Sequence, residues 1–239
     1  MLLHAYADSW RSFERVLPQL PSSIHAFAVT QRGHGLADKP ASGYRVEDFA
    51  TDLASFMDEV HLARAVLVAS SSATFTVQRF AVDHPRRTLG LVFVGVPWSL
   101  ADKRGGALAT AIAKLTDPVD PSFVRDFVES TVHGSVPDEH LAALVAESLQ
   151  APAHVWKQTL AGLLAAVPAA ATTRIGVPAL ILWGDRDAFV SREDQHRLVA
   201  ALPGSRLVVY EAAGHVLHWE QPERVAADIA AFALACADS

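Results

Sequence analysis

Five short apolar runs recur along the chain, separated by longer segments of helical period: "IHAFAVT" (24–30), "RAVLVAS" (64–70), "LGLVFVG" (89–95), "PALILWG" (178–184) and "SRLVVY" (205–210). Strands that alternate with helices make βαβ units, and each crossover returns the chain to the same end of the sheet, so the strands lie parallel. The runs show little polar alternation, which means that helices cover both faces. The expected fold is therefore α/β: three layers, doubly wound around a mostly parallel sheet, with residues 1–4 as a sixth strand.

The covering helices can be read between the runs. "SWRSFERVLPQL" (9–20) opens on Ser9 as a cap and places Trp10, Phe13 and Leu17 on one face. "VEDFATDLASFMDEVHL" (46–62) repeats Phe49, Leu53, Phe56 and Val60 at helical spacing. Further helices are expected at 72–84, 192–202 and 222–236, the last with Pro222 in its first turn. The alternation breaks once. From Trp98 to Thr173 the chain is rich in alanine and leucine, is punctuated by "DPVDPS" and "GSVPDEH", and holds no strand pattern. Short helices forming a cap (98–173) are expected there, inserted in a core domain made of 1–97 and 174–239. The run "AAVPAAATT" (165–173) reads as the end of a helix, because alanine favours helix, or as a linker.

Composition removes several classes of function. Lys and Arg total 20 against 26 Asp and Glu, the net charge is −6, and no basic block tracks a phosphate backbone, so nucleic acid is not an expected partner. Cys236 is the only cysteine, which excludes an internal disulfide and a cysteine zinc cluster and suits a reducing cytoplasm. No apolar run reaches the roughly 18 residues of a membrane span, and "MLLHAYADSW" lacks the pattern of a signal peptide. A soluble cytoplasmic protein is expected, with no membrane partner. The histidines are scattered and no His-Glu-x-x-His occurs, so no metal site is expected. "RGHGLAD" (32–38) lacks the third glycine of a dinucleotide fingerprint and leads into "KPASG" rather than a helix, so no nucleotide cofactor is expected.

The segment "ASSSATF" follows the strand at 64–70. A strand-to-helix turn can lift one side chain clear of the sheet when small residues stand two positions to either side. Only Ser71, flanked by Ala69 and Ala73, has small apolar residues at both positions. "DRDAFV" follows the strand at 178–184, and "EAAGHVLHWEQPE" follows the one at 205–210. A carboxylate and a histidine in those turns lie at the same end of a parallel sheet as the serine, in the order Ser, Asp, His.

With these motifs, "LLHAYADSW" and "RGHGLADKP", the chain resembles the α/β-hydrolase-fold superfamily, in its branch of haloperoxidase-like esterases, lactonases and C–C hydrolases. The resemblance implies Ser71 as nucleophile, His215 as general base and Asp187 as the acid that orients it. Asp185 is the alternative acid, otherwise a solvated turn residue. It also implies an oxyanion hole formed by the backbone N–H groups of Tyr6 and Ser72, with His4 and His34 as structural residues. His218, Trp219 and Glu220 are expected to support the His215 loop. Trp98 and Trp156 are expected to line the substrate pocket. The chain departs from the family at Ala5, Ala69, Ala73 and Thr74, where glycine is usual or frequent. Each extra methyl at a close approach costs about 1–3 kcal/mol unless the helix shifts.

These expectations add up to a serine hydrolase that needs no cofactor and cleaves a small or medium apolar ester or lactone through an acyl-enzyme. C–C bond hydrolysis by the same triad is the nearest alternative. A receptor-like binding protein with little turnover is the alternative from a different class. The family's N-terminal β-hairpin is expected to be missing, which would leave "IHAFAVT" as an apolar edge and favour a two-fold homodimer at that strand.

Overall fold

The computed structural model describes residues 1–101, 106–167 and 175–237. Its sheet has six strands, all parallel: β1 (Leu2–Leu3), β2 (Ala28–Val29), β3 (Ala65–Ser70), β4 (Thr88–Val94), β5 (Ala179–Gly184) and β6 (Ser205–Tyr210). Their order in space is β2-β1-β3-β4-β5-β6. The order reverses beside β1 and β3, and that end of the sheet is where ligands enter open α/β folds.

Alternate residues of the central strands serve two separate cores. Leu67, Leu91, Phe93 and Ile181 pack on one face with Leu53 and Met57 of α1 (Val46–Glu59) and Phe80 of α2 (Ala73–Asp83). Val68, Val92, Val94, Leu180 and Leu182 point the other way, onto Phe13, Val16, Leu217, Val225 and Ile229. A period of two with both positions apolar explains why these strands read as unbroken apolar runs.

The chain between β4 and β5 holds, among the described residues, α3 (Ala107–Ala113), α4 (Pro121–Ser130), α5 (Asp138–Ser148) and α6 (Ala153–Ala165). Their apolar faces meet in a third cluster, where Val124, Val128, Leu144 and Trp156 pack against Val216 and Trp219 of the core. α7 (Arg192–Ala201), α8 (Leu217–Glu220) and α9 (Pro222–Ala237) complete the chain. Helix α6 ends at Ala165; of the run at 165–173, residues from 168 onward lie outside the described residues.

One helix departs from expectation. Residues 9–20 form two 3₁₀ turns, Trp10–Phe13 and Leu17–Gln19, in place of an α-helix. Pro18 has no N–H to give the Glu14 carbonyl, as a single α-helix through residue 20 would require, and the segment instead makes i→i+3 bonds such as Val16 N–H to the Phe13 carbonyl at 2.9 Å, with Pro18 in the first turn of the second 3₁₀ piece. Phe13 and Val16 are fully buried, whereas Trp10 is 39% exposed.

Candidate active site

The turns after β1, β3, β5 and β6 converge at the carboxyl end of the sheet. After β3 the chain reverses at Ser71, whose φ of +47° lies in the left-handed region that a non-glycine residue seldom occupies. The turn is held by the Ser71 N–H, which donates to the Val94 carbonyl at 2.8 Å, and by the Thr74 N–H, which donates to the Ser71 carbonyl at 3.0 Å. Ala69, Ala73 and Thr74 are all buried where strand and helix approach. Ser70 is also fully buried, and its hydroxyl has no protein partner.

His215 Nε2 lies 2.8 Å from Ser71 Oγ, and its Nδ1 lies 2.8 Å from Asp187 Oδ2. The other Asp187 oxygen accepts the backbone N–H groups of Phe189 at 2.8 Å and Val190 at 3.0 Å. The Asp187 side chain is wholly buried. A carboxylate holding Nδ1–H leaves the Nε2 lone pair directed at the serine hydroxyl, which is the tautomer a general base requires. Asp185 points elsewhere, accepting the Ala212 N–H at 2.8 Å.

Gly95, with φ +60°, ends β4 against the imidazole: a Cβ there would stand 2.7 Å from the His215 carbonyl and 3.1 Å from Nδ1. Phe189 covers the ring from another side, with centroids 5.1 Å apart.

Tyr6 and Ser72 both line the space above Ser71, and neither backbone N–H has a backbone acceptor among the described residues. The segment that carries Tyr6 is pinned by His4. His4 Nδ1 donates to the Ala5 carbonyl at 2.8 Å and Nε2 accepts the Gln31 N–H at 2.9 Å, while burial holds its pKa well below the ordinary histidine value. His34 is likewise buried and bonded to the Arg32 carbonyl, so its place is structural.

Above Ser71 lies a cavity of about 320 Å³, bounded by α3, α4, α5, α6 and the loops that carry Asp187 and His215. Its walls are apolar: Leu100, Leu108, Phe127, Val128, Leu144, Leu160, Leu163, Phe189, Val216 and Trp219. The Thr131 and Ser148 hydroxyls in the wall already donate to the Val128 and Leu144 carbonyls. Asp8 is the wall's only carboxyl among the described residues. Its burial pushes the pKa up to about 7. No lysine or arginine is among the described lining residues, and no group of three metal-ligating side chains occurs among the described residues.

Trp98 and Trp156 are not part of this wall. Trp98 is partly buried and packs on the sheet core. Trp156 is buried one layer back, its indole N–H donating to the Ala151 carbonyl and its ring edge-on to Tyr6 and Phe127. Phe127, Phe189 and Trp219 form the aromatic wall that the two tryptophans were expected to supply. Adjacency to the acid and base motifs was the only sequence signal for Phe189 and Trp219, and Phe127 carried none.

The model of the alpha/beta hydrolase family matches residues 1–228. The chain belongs to that family. An esterase from Exiguobacterium antarcticum superimposes on this hydrolase with a TM-score of 0.87 at 20% identity, covering 97% of this chain and 91% of that one. Est816, described as an N-acyl homoserine lactone degrading enzyme, gives 0.85 at 24% identity with the same coverage of 97% and 91%. A 2-hydroxy-6-oxononadienedioate/2-hydroxy-6-oxononatrienedioate hydrolase from Cupriavidus pinatubonensis is 26% identical over 233 residues, 90% of this chain and 78% of that protein. No described helix of this hydrolase is long and apolar enough to cross a membrane.

Proposed function

We propose that this hydrolase cleaves small or medium neutral, apolar esters or lactones through an acyl-enzyme on Ser71, without a cofactor. The observation that carries the reading is the unbroken line Ser71 Oγ, His215, Asp187, with 2.8 Å at each step, at the floor of an apolar cavity. His215 takes the hydroxyl proton as Oγ attacks the carbonyl carbon. The carbonyl oxygen gains negative charge between the Tyr6 and Ser72 N–H groups. Collapse expels the alcohol, which receives the proton from His215. Water then repeats the sequence on the acyl-enzyme and releases the acid.

The walls argue for a neutral substrate. A carboxylate taken from water into this cavity would meet no cation among the described lining residues, and the cost of desolvating it would stay uncompensated. The same point sets C–C hydrolysis of a dicarboxylate, such as the dienedioate named for one relative, below ester hydrolysis. Fluorophosphonate treatment followed by peptide mass spectrometry is expected to label Ser71. Ser71→Ala is expected to lose on the order of 10³-fold or more in turnover of a p-nitrophenyl ester. Among esters of matched length, one with a terminal carboxylate should react at least about tenfold more slowly than its methyl-ended counterpart. Neither labelling nor turnover across an ester panel would leave a ligand-binding role as the better reading.

A further inference from the structure

We propose that Glu220 is a positioning residue that clamps the His215 loop to the connection between α4 and α5, so that the general base and one cavity wall are held by a single carboxylate. The inference rests on the reading of His215 as the base. Glu220 closes α8, and its two oxygens reach different parts of the chain. Oε2 accepts the Gly214 N–H at 2.9 Å, one residue before His215, and Oε1 accepts the His133 N–H at 2.8 Å. A third bond runs parallel to these, from the His215 N–H to the Thr131 carbonyl at 3.2 Å. Thr131 and Val128, just before this connection, are cavity wall, as are Val216 and Trp219 of the α8 segment. The clamp therefore joins the two elements that a substrate touches on either side of the imidazole.

Two glycines make room for this carboxylate. A Cβ on Gly134 would stand 2.8 Å from Glu220 Oε2, and one on Gly214 would stand 2.7 Å from Oε1. Neither has a left-handed φ, so space for the carboxylate, rather than backbone freedom, is what these positions supply. Hydrogen bonds to an ionised acceptor are roughly twice as strong as neutral ones, and here both donors are backbone groups that fix where the loop runs. Asp187 orients the ring of His215, and Glu220 sets where its Cα stands. A shift of about 1 Å at a reacting group is enough to cost on the order of 10²-fold in rate.

The test combines steady-state kinetics on p-nitrophenyl butyrate with the downfield proton resonance of the Asp187–His215 hydrogen bond. Glu220→Ala is expected to lower kcat by about 10- to 100-fold with little change in KM, and to broaden or shift that resonance. Glu220→Gln, which keeps one acceptor oxygen, should recover part of the loss. Gly134→Ala, whose new methyl displaces the carboxylate, should lower kcat in the wild-type background and add nothing to Glu220→Ala. Unchanged kcat and resonance in Glu220→Ala, or losses that multiply in the double variant, would overturn the clamp. If Glu220→Ala does not fold, Gly134→Ala is read alone by the same two measurements, and no change in either overturns it. If the wild type hydrolyses no ester, the proposed function fails, while the resonance still reports whether Glu220 holds His215.

Discussion

Ser70, Ser71 and Ser72 share a side chain and differ in what the backbone does with it. Only Ser71 is turned by a positive φ so that its hydroxyl meets His215; Ser70 is buried beneath the turn and Ser72 opens α2. Ser70→Ala removes an unpartnered buried hydroxyl, so turnover should stay near wild type and stability should hold or rise slightly. Ser72→Ala keeps the backbone N–H and should have a small effect. A large loss of turnover at either position, measured beside Ser71→Ala, would mean that the turn is centred elsewhere. The flanking alanines made Ser71 legible in the sequence, because small residues are needed at a fixed offset from the apex. The cavity walls were not legible, since a side chain's place there depends on how each inserted helix is rotated. Trp156→Ala is accordingly expected to cost about 3–5 kcal/mol in urea unfolding while leaving the ranking of an ester chain-length series unchanged. Phe127→Ala and Phe189→Ala should change that ranking, because both side chains bound the cavity.

The elements succeed where their ends are pinned. β5 and the turn after β6 touch so closely at Gly184 that a Cβ there would stand 2.3 Å from the Ala213 carbonyl and 2.4 Å from that of Gly214. These contacts are backbone to backbone, so relief requires the loops that carry Asp187 and His215 to part. Gly184→Ala is expected to destabilise by about 3 kcal/mol in urea unfolding, and to lower kcat in the fraction that remains folded, as Asp187 and His215 separate. A variant with native stability and turnover would mean that the two loops yield easily. The central strands β3, β4 and β5 were legible because both positions of their two-residue period are apolar, a pattern that helices on either face require, whereas of the run at 24–30 only Ala28–Val29 pairs as a strand. The 3₁₀ turns at 9–20 were misread as a helix because the apolar spacing of Trp10, Phe13 and Leu17 suits both, and Pro18 decided between them. The alternation itself implied a mostly parallel sheet, and the structure makes all six strands parallel.

At the scale of the whole molecule, the fold stores uncharged histidines, and this gives its stability a direction in pH. His4, His34 and His218 are all buried, and burial depresses each of them: His34 to about 4, His218 to about 3 and His4 well below the ordinary value. In the unfolded chain each imidazole takes a proton as pH falls through about 6.5. Below that value the unfolded state binds more protons than the folded one, so stability is lost as pH falls, by on the order of 1 kcal/mol per pH unit for each group. Asp8 works in the opposite sense. Its carboxyl is raised to about 7 by burial, so between an unfolded value of about 4 and pH 7 the folded state is the one that holds the proton, and acid favours folding. Three histidines outweigh one aspartate, and the unfolding free energy from urea titrations should decline from pH 6.5 to pH 4.5. Asp8→Asn should make that decline steeper, and His218→Gln should make it shallower. A flat profile over this range would mean that these imidazoles are solvated or paired in the fold, contrary to the unpartnered Nδ1 of His218 and Nε2 of His34. None of this pH dependence could be read from the sequence, where eleven histidines are scattered and only the packing separates the buried ones from the rest.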